Sequence, residues 1–283
     1  MQNVTLARRL TVCITGSNKG IGYAALDALL GQPQPYHLIM TSRSLQRGDQ
    51  AIKTLKRKHQ AKQPPVCLQL DLLSKDSVNS FIKQLKESNT KLDILINNAG
   101  IYKVHSQTLK NFHDHWYTNY ENMKLLTDSV IENNLLNHSG KIVFVSSSGG
   151  KFRQLRSINQ AVYDRFKEYR SMDRQELEDL EKLCVDDHEN GRMGNWPRMF
   201  YCSSKIFMCA YASVLGRELA YRNVQCYSMC PGFCDTDMTR GTGAVRSAEK
   251  GAETAVFLAG MREDVDDKLQ GEFFYDMRKS SLV

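Results

Sequence analysis

Apolar residues fall into short continuous runs that alternate with longer stretches of helical spacing. LTVCITG at 10–16, YHLIMTS at 36–42, PVCLQLDL at 65–72, KLDILINNAG at 91–100, KIVFVSSSGG at 141–150 and VQCYSMCPG at 224–232 read as strands, with GEFFYD at 271–276 as the last. Their near-continuous apolar character is that of strands covered on both faces. Between them, 20–31, 47–60, 77–87, 113–136, 197–220 and 248–260 carry the spacing of helices, and the stretch at 197–220 reads as a long amphipathic one. Strand and helix signals in alternation predict an α/β fold, a doubly wound parallel sheet with helices on both faces. From 151 to 195 the sequence turns to charged, long side chains, as in YDRFKEYRSMDRQELEDLEKLC, and predicts two or so short helices outside the core. No repeat or flexible linker divides the chain, so 1–283 reads as a single domain carrying an inserted helical subdomain at about 151–195.

Composition narrows the classes. A hydrophobic share of 41% argues for a folded globular chain. The +7 charge is scattered, and the basic run KTLKRKHQAK at 53–62 reads as a solvated helix face, so no nucleic-acid partner is expected. No apolar stretch approaches membrane-spanning length, and MQNVTLARRLTVCITG lacks a cleavage site, so neither a span nor a signal peptide is expected. Eight cysteines occur without a CxxC. Cys226, Cys230 and Cys234 are spaced four apart, but Pro231 and Gly232 interrupt any helix there and no histidine follows, so no metal is expected. Reduced thiols fit a cytoplasmic setting.

TGSNKGIG at 15–22 places Gly16, Gly20 and Gly22 between a predicted strand and a predicted helix. Such a turn lets backbone approach a pyrophosphate seated on the helix N-terminus, the Rossmann-type arrangement; the plain alternative is a structural turn. The second strand ends LIMTSR, where an acidic residue would grip an adenosine 2′-hydroxyl. Thr41, Ser42 and Arg43 stand there instead, with Lys19 in the glycine loop. An arginine suits a 2′-phosphate and predicts NADPH/NADP+ over NADH, unless Arg43 and Lys19 merely face solvent.

The glycine pattern, NNAG at 97–100, SSS at 146–148, YCSSK at 201–205 and PGFCDTDM at 231–238 together resemble the short-chain dehydrogenase/reductase family. The long insertion, NKGIG, Trp196-Pro197 and TDM at 236–238 resemble more particularly its monomeric NADPH-dependent carbonyl reductases. The resemblance implies Tyr201 as proton donor to a carbonyl oxygen and Lys205 as holder of the nicotinamide ribose. It implies Ser147 as a second donor to that oxygen, with Ser148 the alternative, and Asn119 as support for proton resupply. Asn18, Ile21, Asn97, Ala99 and Gly100 would line the cofactor cleft, and Asp71 with Leu72 would meet the adenine. The stretch Pro231, Gly232 to Thr236 would close over the nicotinamide.

Hydride arriving at a carbonyl carbon leaves alkoxide character on oxygen, so donors fixed beforehand lower the barrier. Tyrosine ordinarily titrates near 10, and a fixed ammonium beside it favours its anion. The resemblance therefore implies reduction of a small-molecule carbonyl (ketone, aldehyde or quinone). Trp196 and Phe233 would wall the substrate cleft, joined by Met193, Met199 and Met238 unless those pack in the core. Phe233 and Asp235 depart from the carbonyl-reductase pattern, where tryptophan and arginine are expected. The insertion, entering just before the catalytic helix, would cover a dimer face and imply a monomer. Rival readings are a reductase dedicated to one specialised metabolite and a catalytically silent NADPH-binding regulatory protein.

Overall fold

Strand β1 (Leu10–Ile14) sends Val12 and Ile14 to one side and Cys13 to the other. The same two-residue alternation runs through β2 (Tyr36–Ser42), β4 (Leu92–Asn97), β5 (Leu136–Val145) and β6 (Gln225–Cys230) and creates two apolar layers. The computed structural model describes residues 8–33, 36–61, 63–103, 107–261 and 269–283. Residues 1–7, part of the stretch read for a signal peptide, and Lys62, at the end of the basic run, lie outside the described residues.

With β3 (Val66–Gln69), β7 (Phe273–Tyr275) and β8 (Arg278–Lys279), the strands form one sheet in the order β3-β2-β1-β4-β5-β6-β7-β8. Pairing is parallel from β3 to β7, and β8 returns antiparallel on β7. Helices α1 (Gly20–Leu30), α2 (Leu45–His59) and α9 (Ala248–Gly260) cover one face through Leu26, Leu55 and Leu258. On the opposite face lie α3 (Lys75–Glu87), α4 (Leu109–Trp116), α5 (Asn122–Glu132) and α8 (Phe200–Glu218), through Phe81, Phe112, Leu126 and Phe207. This is a Rossmann-type sheet with helices on both faces and a helical insertion. The strand order reverses between β1 and β4, and a crevice opens there at the carboxyl ends of the strands.

Three expectations change. The stretch read as one helix over 113–136 is α4, then a π-helical turn at Tyr117–Glu121, then α5, and β5 starts as early as Leu136. The helix read as amphipathic, α8, is buried almost all round: one side meets the sheet and the other meets the insertion. The short β8 carried no legible signal, since two exposed residues offer no periodicity.

The insertion forms α6 (Gln160–Lys167) and α7 (Arg174–Glu189), and its Phe166, Leu177 and Leu180 join the same apolar cluster as α8. Charged groups also dock α7. Lys124 of α5 reaches Glu181 at 2.9 Å, and the Tyr120 hydroxyl donates to the same carboxylate. Arg174 bridges Asp128 at 3.1 Å and Glu218 at 2.6 Å. Among the described residues, no helix is long and apolar enough to cross a membrane.

Candidate active site

At the end of β1, the Thr15 hydroxyl accepts the backbone N–H groups of Asn98 and Ala99, each at 2.9 Å, and welds the glycine turn to the loop after β4. Gly16 has φ +60, and a Cβ there would lie 2.9 Å from Ala99 Cα; strain and space both require glycine. Gly22 has a different duty from the one expected. It does not face the crevice; a Cβ there would meet Asn98 Nδ2 at 2.4 Å, so its bare backbone lets α1 pack on the β4 loop.

Among the described residues, six helices begin with a side chain capping the first turn, Ser44 on α2, Ser74 on α3, Thr108 on α4, Asn159 on α6, Asp173 on α7 and Ser247 on α9, whereas α1, α5 and α8 do not. Helix α1 begins at Lys19 with no side-chain cap and no acid in its first turn. Its free N–H groups and positive dipole end open into the crevice, a setting for an anion. Asn18, Lys19, Gly20 and Ile21 line this part.

Ser42, Arg43, Asp71 and Leu72 line the end of the crevice beyond β2 and β3. Arg47, in the first turn of α2, lines it too and was missed. Among the described residues neither arginine is in an ion pair, while Lys19 pairs with Asp237 at 2.9 Å. At the other end lie Ala99, Gly100, Pro231, Thr236 and Met238, with Asn98, Thr118 and Asp237 in addition to those expected.

Tyr201 and Lys205 occupy successive turns of α8, and both face the crevice. The Lys205 ammonium lies 5.5 Å from the Tyr201 ring centroid and donates to the Val145 carbonyl at 2.9 Å. Burial pushes Lys205 down to about 8, partly offset by the nearby Cys209 and Cys230 thiols. Burial likewise raises the Tyr201 hydroxyl well above its ordinary value, with the neighbouring Ser147 hydroxyl working against that rise. Ser147 Oγ accepts the Gly149 N–H at 3.1 Å. Ser146 is turned to the Lys205 carbonyl and Cys209, and the Ser148 N–H to the Cys230 sulfur.

Asn119 sits fully buried on the π-helical turn, a feature frequent at functional sites. Its side chain accepts the Ile101 N–H at 2.7 Å and donates to the Ile101 carbonyl and Ser204 hydroxyl. Gly100 is squeezed between them: a Cβ there would stand 3.1 Å from Asn119 Oδ1 and 3.8 Å from Lys205 Nζ.

Four more expected residues fall elsewhere. Asn97 shares the parity of Leu95, points to the α5 side and donates to Thr127 at 2.9 Å; Asn98 faces the crevice in its place. Trp196 is 1% exposed in the core, where its indole donates to Asp187 at 3.0 Å and its ring packs on Phe207. Asp187 also receives Arg192 and Asn195 and gives the indole a buried acceptor. Gly232 abuts Arg246 and does not line the crevice, and the next residue, Phe233, is 51% exposed. Another missed residue, Tyr102, lays its ring edge-on to Tyr201 at 5.0 Å.

The sequence model of the short chain dehydrogenase family matches residues 10–164 and 189–247. The chain belongs to that family. The unmatched interval contains all of α7 but its last residue. Among similar proteins, (+)-neomenthol dehydrogenase of Capsicum annuum is 29% identical, covering 97% of this chain and 98% of its own. Carbonyl reductase (NADPH) 1 of Sus scrofa is 30% identical over 94% of this chain and 91% of its own. Among solved structures, salutaridine reductase of Papaver somniferum superposes with a TM-score of 0.81 at 25% identity, covering 95% of this chain and 100% of that one.

Proposed function

We propose that this protein reduces small-molecule carbonyl compounds to alcohols with NADPH, Tyr201 giving the proton. The observation that carries the reading is Lys205 beside Tyr201 in a crevice that begins at the uncapped N-terminus of α1. Bound NADPH supplies the hydride. The α1 N-terminus holds the pyrophosphate, and the Gly16 turn lines the crevice beside it. Arg43 and Arg47 take the 2′-phosphate, Ser42 and Arg43 standing at the end of β2 where an acid would grip a ribose hydroxyl. Lys205 holds the ribose.

A buried tyrosine with a raised pKa keeps its proton through neutral pH and so suits donation to a forming alkoxide. Ser147 shares that oxygen, and Lys205 offsets charge developing on Tyr201. Asn119 fixes the Ile101 backbone beside them and supports proton resupply. With α7 laid over α5 and α8, the protein is a monomer. The Capsicum and Papaver relatives are named for single metabolites, which favours a second reading, a reductase dedicated to one metabolite.

The test is NADPH consumption across ketones, aldehydes and quinones, with NADH and Tyr201→Phe alongside. Turnover that needs Tyr201 and prefers NADPH is expected. Turnover retained by a folded, cofactor-binding Tyr201→Phe would sink the assignment. One carbonyl preferred by orders of magnitude would select the dedicated reading.

A further inference from the structure

Tyr102 follows the NNAG loop, and the structure invests buried polar groups in holding it. On its N-terminal side, Asn119 grips both the N–H and the carbonyl of Ile101, at 2.7 and 3.0 Å. On its C-terminal side, His115 Nε2 accepts the Lys103 N–H at 3.1 Å and Asn111 donates to the Lys103 carbonyl at 3.2 Å. The His115 tautomer is fixed, because its Nδ1 faces the Asn111 carbonyl at 2.8 Å and must donate there. Asn111, His115 and Asn119 are all buried. Backbone clamps on Ile101 and Lys103 therefore bracket one aromatic residue.

The clamped ring meets Tyr201 edge-on, at 5.0 Å and 74°, and its hydroxyl reaches the Met199 sulfur at 3.8 Å. Gln107 adds a tie to the Arg198 carbonyl at 3.0 Å, joining the same two loops. Met199, which the Tyr102 hydroxyl meets, is 43% exposed, so the bridge stands at the solvent edge. A wall held from both sides cannot retreat from an entering molecule.

Resting on the carbonyl-reductase reading above, we propose that Tyr102 is a specificity-determining residue: a fixed aromatic wall that leaves a slot over Tyr201 and selects flat, conjugated carbonyls over saturated, branched ones. A planar ring slides along an aromatic wall with little rearrangement and gains ring contact. A saturated bicyclic ketone carries hydrogens above and below its mean plane and meets the wall before its carbonyl reaches Tyr201.

The experiment compares kcat and KM for naphthoquinone and camphor in the wild type, Tyr102→Ala, Tyr102→Phe and His115→Gln, and titrates naphthoquinone into each NADPH-loaded protein. Wild type should favour naphthoquinone. Tyr102→Ala should narrow the kcat/KM ratio by about tenfold or more, through KM rather than kcat, which is the scale of a pocket-size effect. Tyr102→Phe should keep the wild-type ratio, and His115→Gln should shift it toward Tyr102→Ala. A ratio unchanged in a Tyr102→Ala protein that still binds NADPH overturns the proposal. Naphthoquinone binding that weakens in Tyr102→Ala, with no turnover by the wild type, would remove the reductase reading and leave the wall standing. Neither binding nor turnover removes both.

Discussion

The Lys205 ammonium stands 5.5 Å from the Tyr201 ring centroid and is held there by the Val145 carbonyl at the end of β5. Its burial, which lowers its pKa from 10.5 to about 8, costs the fold on the order of 3 kcal/mol at neutral pH. Above pH 8 the folded state sheds this proton while the unfolded chain keeps it up to about 10.5, so this group's contribution to stability rises with pH across that window. Activity should move the opposite way. Reduction is expected to decline above pH 8 as the charge beside Tyr201 is lost. Lys205→Met should lose roughly a hundredfold or more in turnover. At pH 7 it should melt no lower than wild type, because the removed charge penalty outweighs the one lost hydrogen bond. A large fall in Tm at pH 7, unchanged at pH 10, would refute this account.

Arg43 and Arg47 both line the crevice beyond β2, and neither is held in an ion pair among the described residues. Each charge-assisted bond to a phosphate contributes about 1.5–3 kcal/mol. Arg43→Ala or Arg47→Ala is therefore expected to weaken NADPH binding by roughly tenfold to a hundredfold, to reduce its salt dependence, and to leave NADH binding nearly unchanged. Fluorescence titration with both cofactors decides it. Equal losses for NADPH and NADH would mean that the arginines shape the pocket instead of reading the 2′-phosphate.

How much of this was legible depends on what kind of signal each residue leaves. The sheet, the glycine turn and the Tyr201–Lys205 pair were visible because period-two and helical spacing, and fixed short motifs, are local. Asn97 and Asn98 are adjacent and identical, and only strand parity, fixed by Leu95, says which one faces α5. Trp196 was placed in the cleft because aromatic residues before the catalytic helix suggest a wall. Nothing local shows that Asp187, nine residues earlier on α7, waits to accept its indole. Tyr102 was missed because its importance comes from Asn119, Asn111 and His115, which reach back to its chain neighbours from α4 and the π-helical turn.

Asn98 should repay mutation with a defect in the glycine turn. Its side chain donates to the Thr15 carbonyl at 2.8 Å and the Gly16 carbonyl at 3.2 Å, tying the turn from below. Asn98→Ala leaves those carbonyls unpaired and should cost about 1–3 kcal/mol, seen as a lower Tm and weaker cofactor binding. Asn97→Ala should lower Tm with a smaller effect on cofactor binding, since it touches Thr127 and not the crevice. Cofactor binding equally damaged in both variants would contradict the assignment by parity.

His115 and His188 give the fold an acid limit. Burial holds both imidazoles below their ordinary value of 6.5, so both are folded in the neutral form. His188 stacks on Phe112 with ring centroids 3.8 Å apart. Below about pH 6.5 the unfolded chain takes up protons that the folded chain refuses, and stability falls as pH falls through that value and below. Denaturant titrations between pH 7.5 and 5 should show this loss. His188→Phe should flatten part of the slope without touching turnover, and an unchanged slope would assign the acid sensitivity to other groups.

The monomer prediction turns on α7. Lys124 and Glu181 are only 13% and 18% exposed, so removing one partner leaves the other charge poorly solvated. Glu181→Ala also strips the Tyr120 hydroxyl of its acceptor and should cost about 3–5 kcal/mol at the upper end of such effects. The double replacement Lys124→Met with Glu181→Leu should cost less, because only the Tyr120 hydroxyl then lacks its acceptor and the Lys124 charge is no longer stranded. If α7 is what keeps α5 and α8 from meeting a second copy, Glu181→Ala should also associate as concentration rises, while the wild type and the double variant stay monomeric. Light scattering on the three proteins reads this directly. A wild-type dimer would show that α7 leaves the association face open, and a monomeric Glu181→Ala that melts early would confine the ion pair to stability alone.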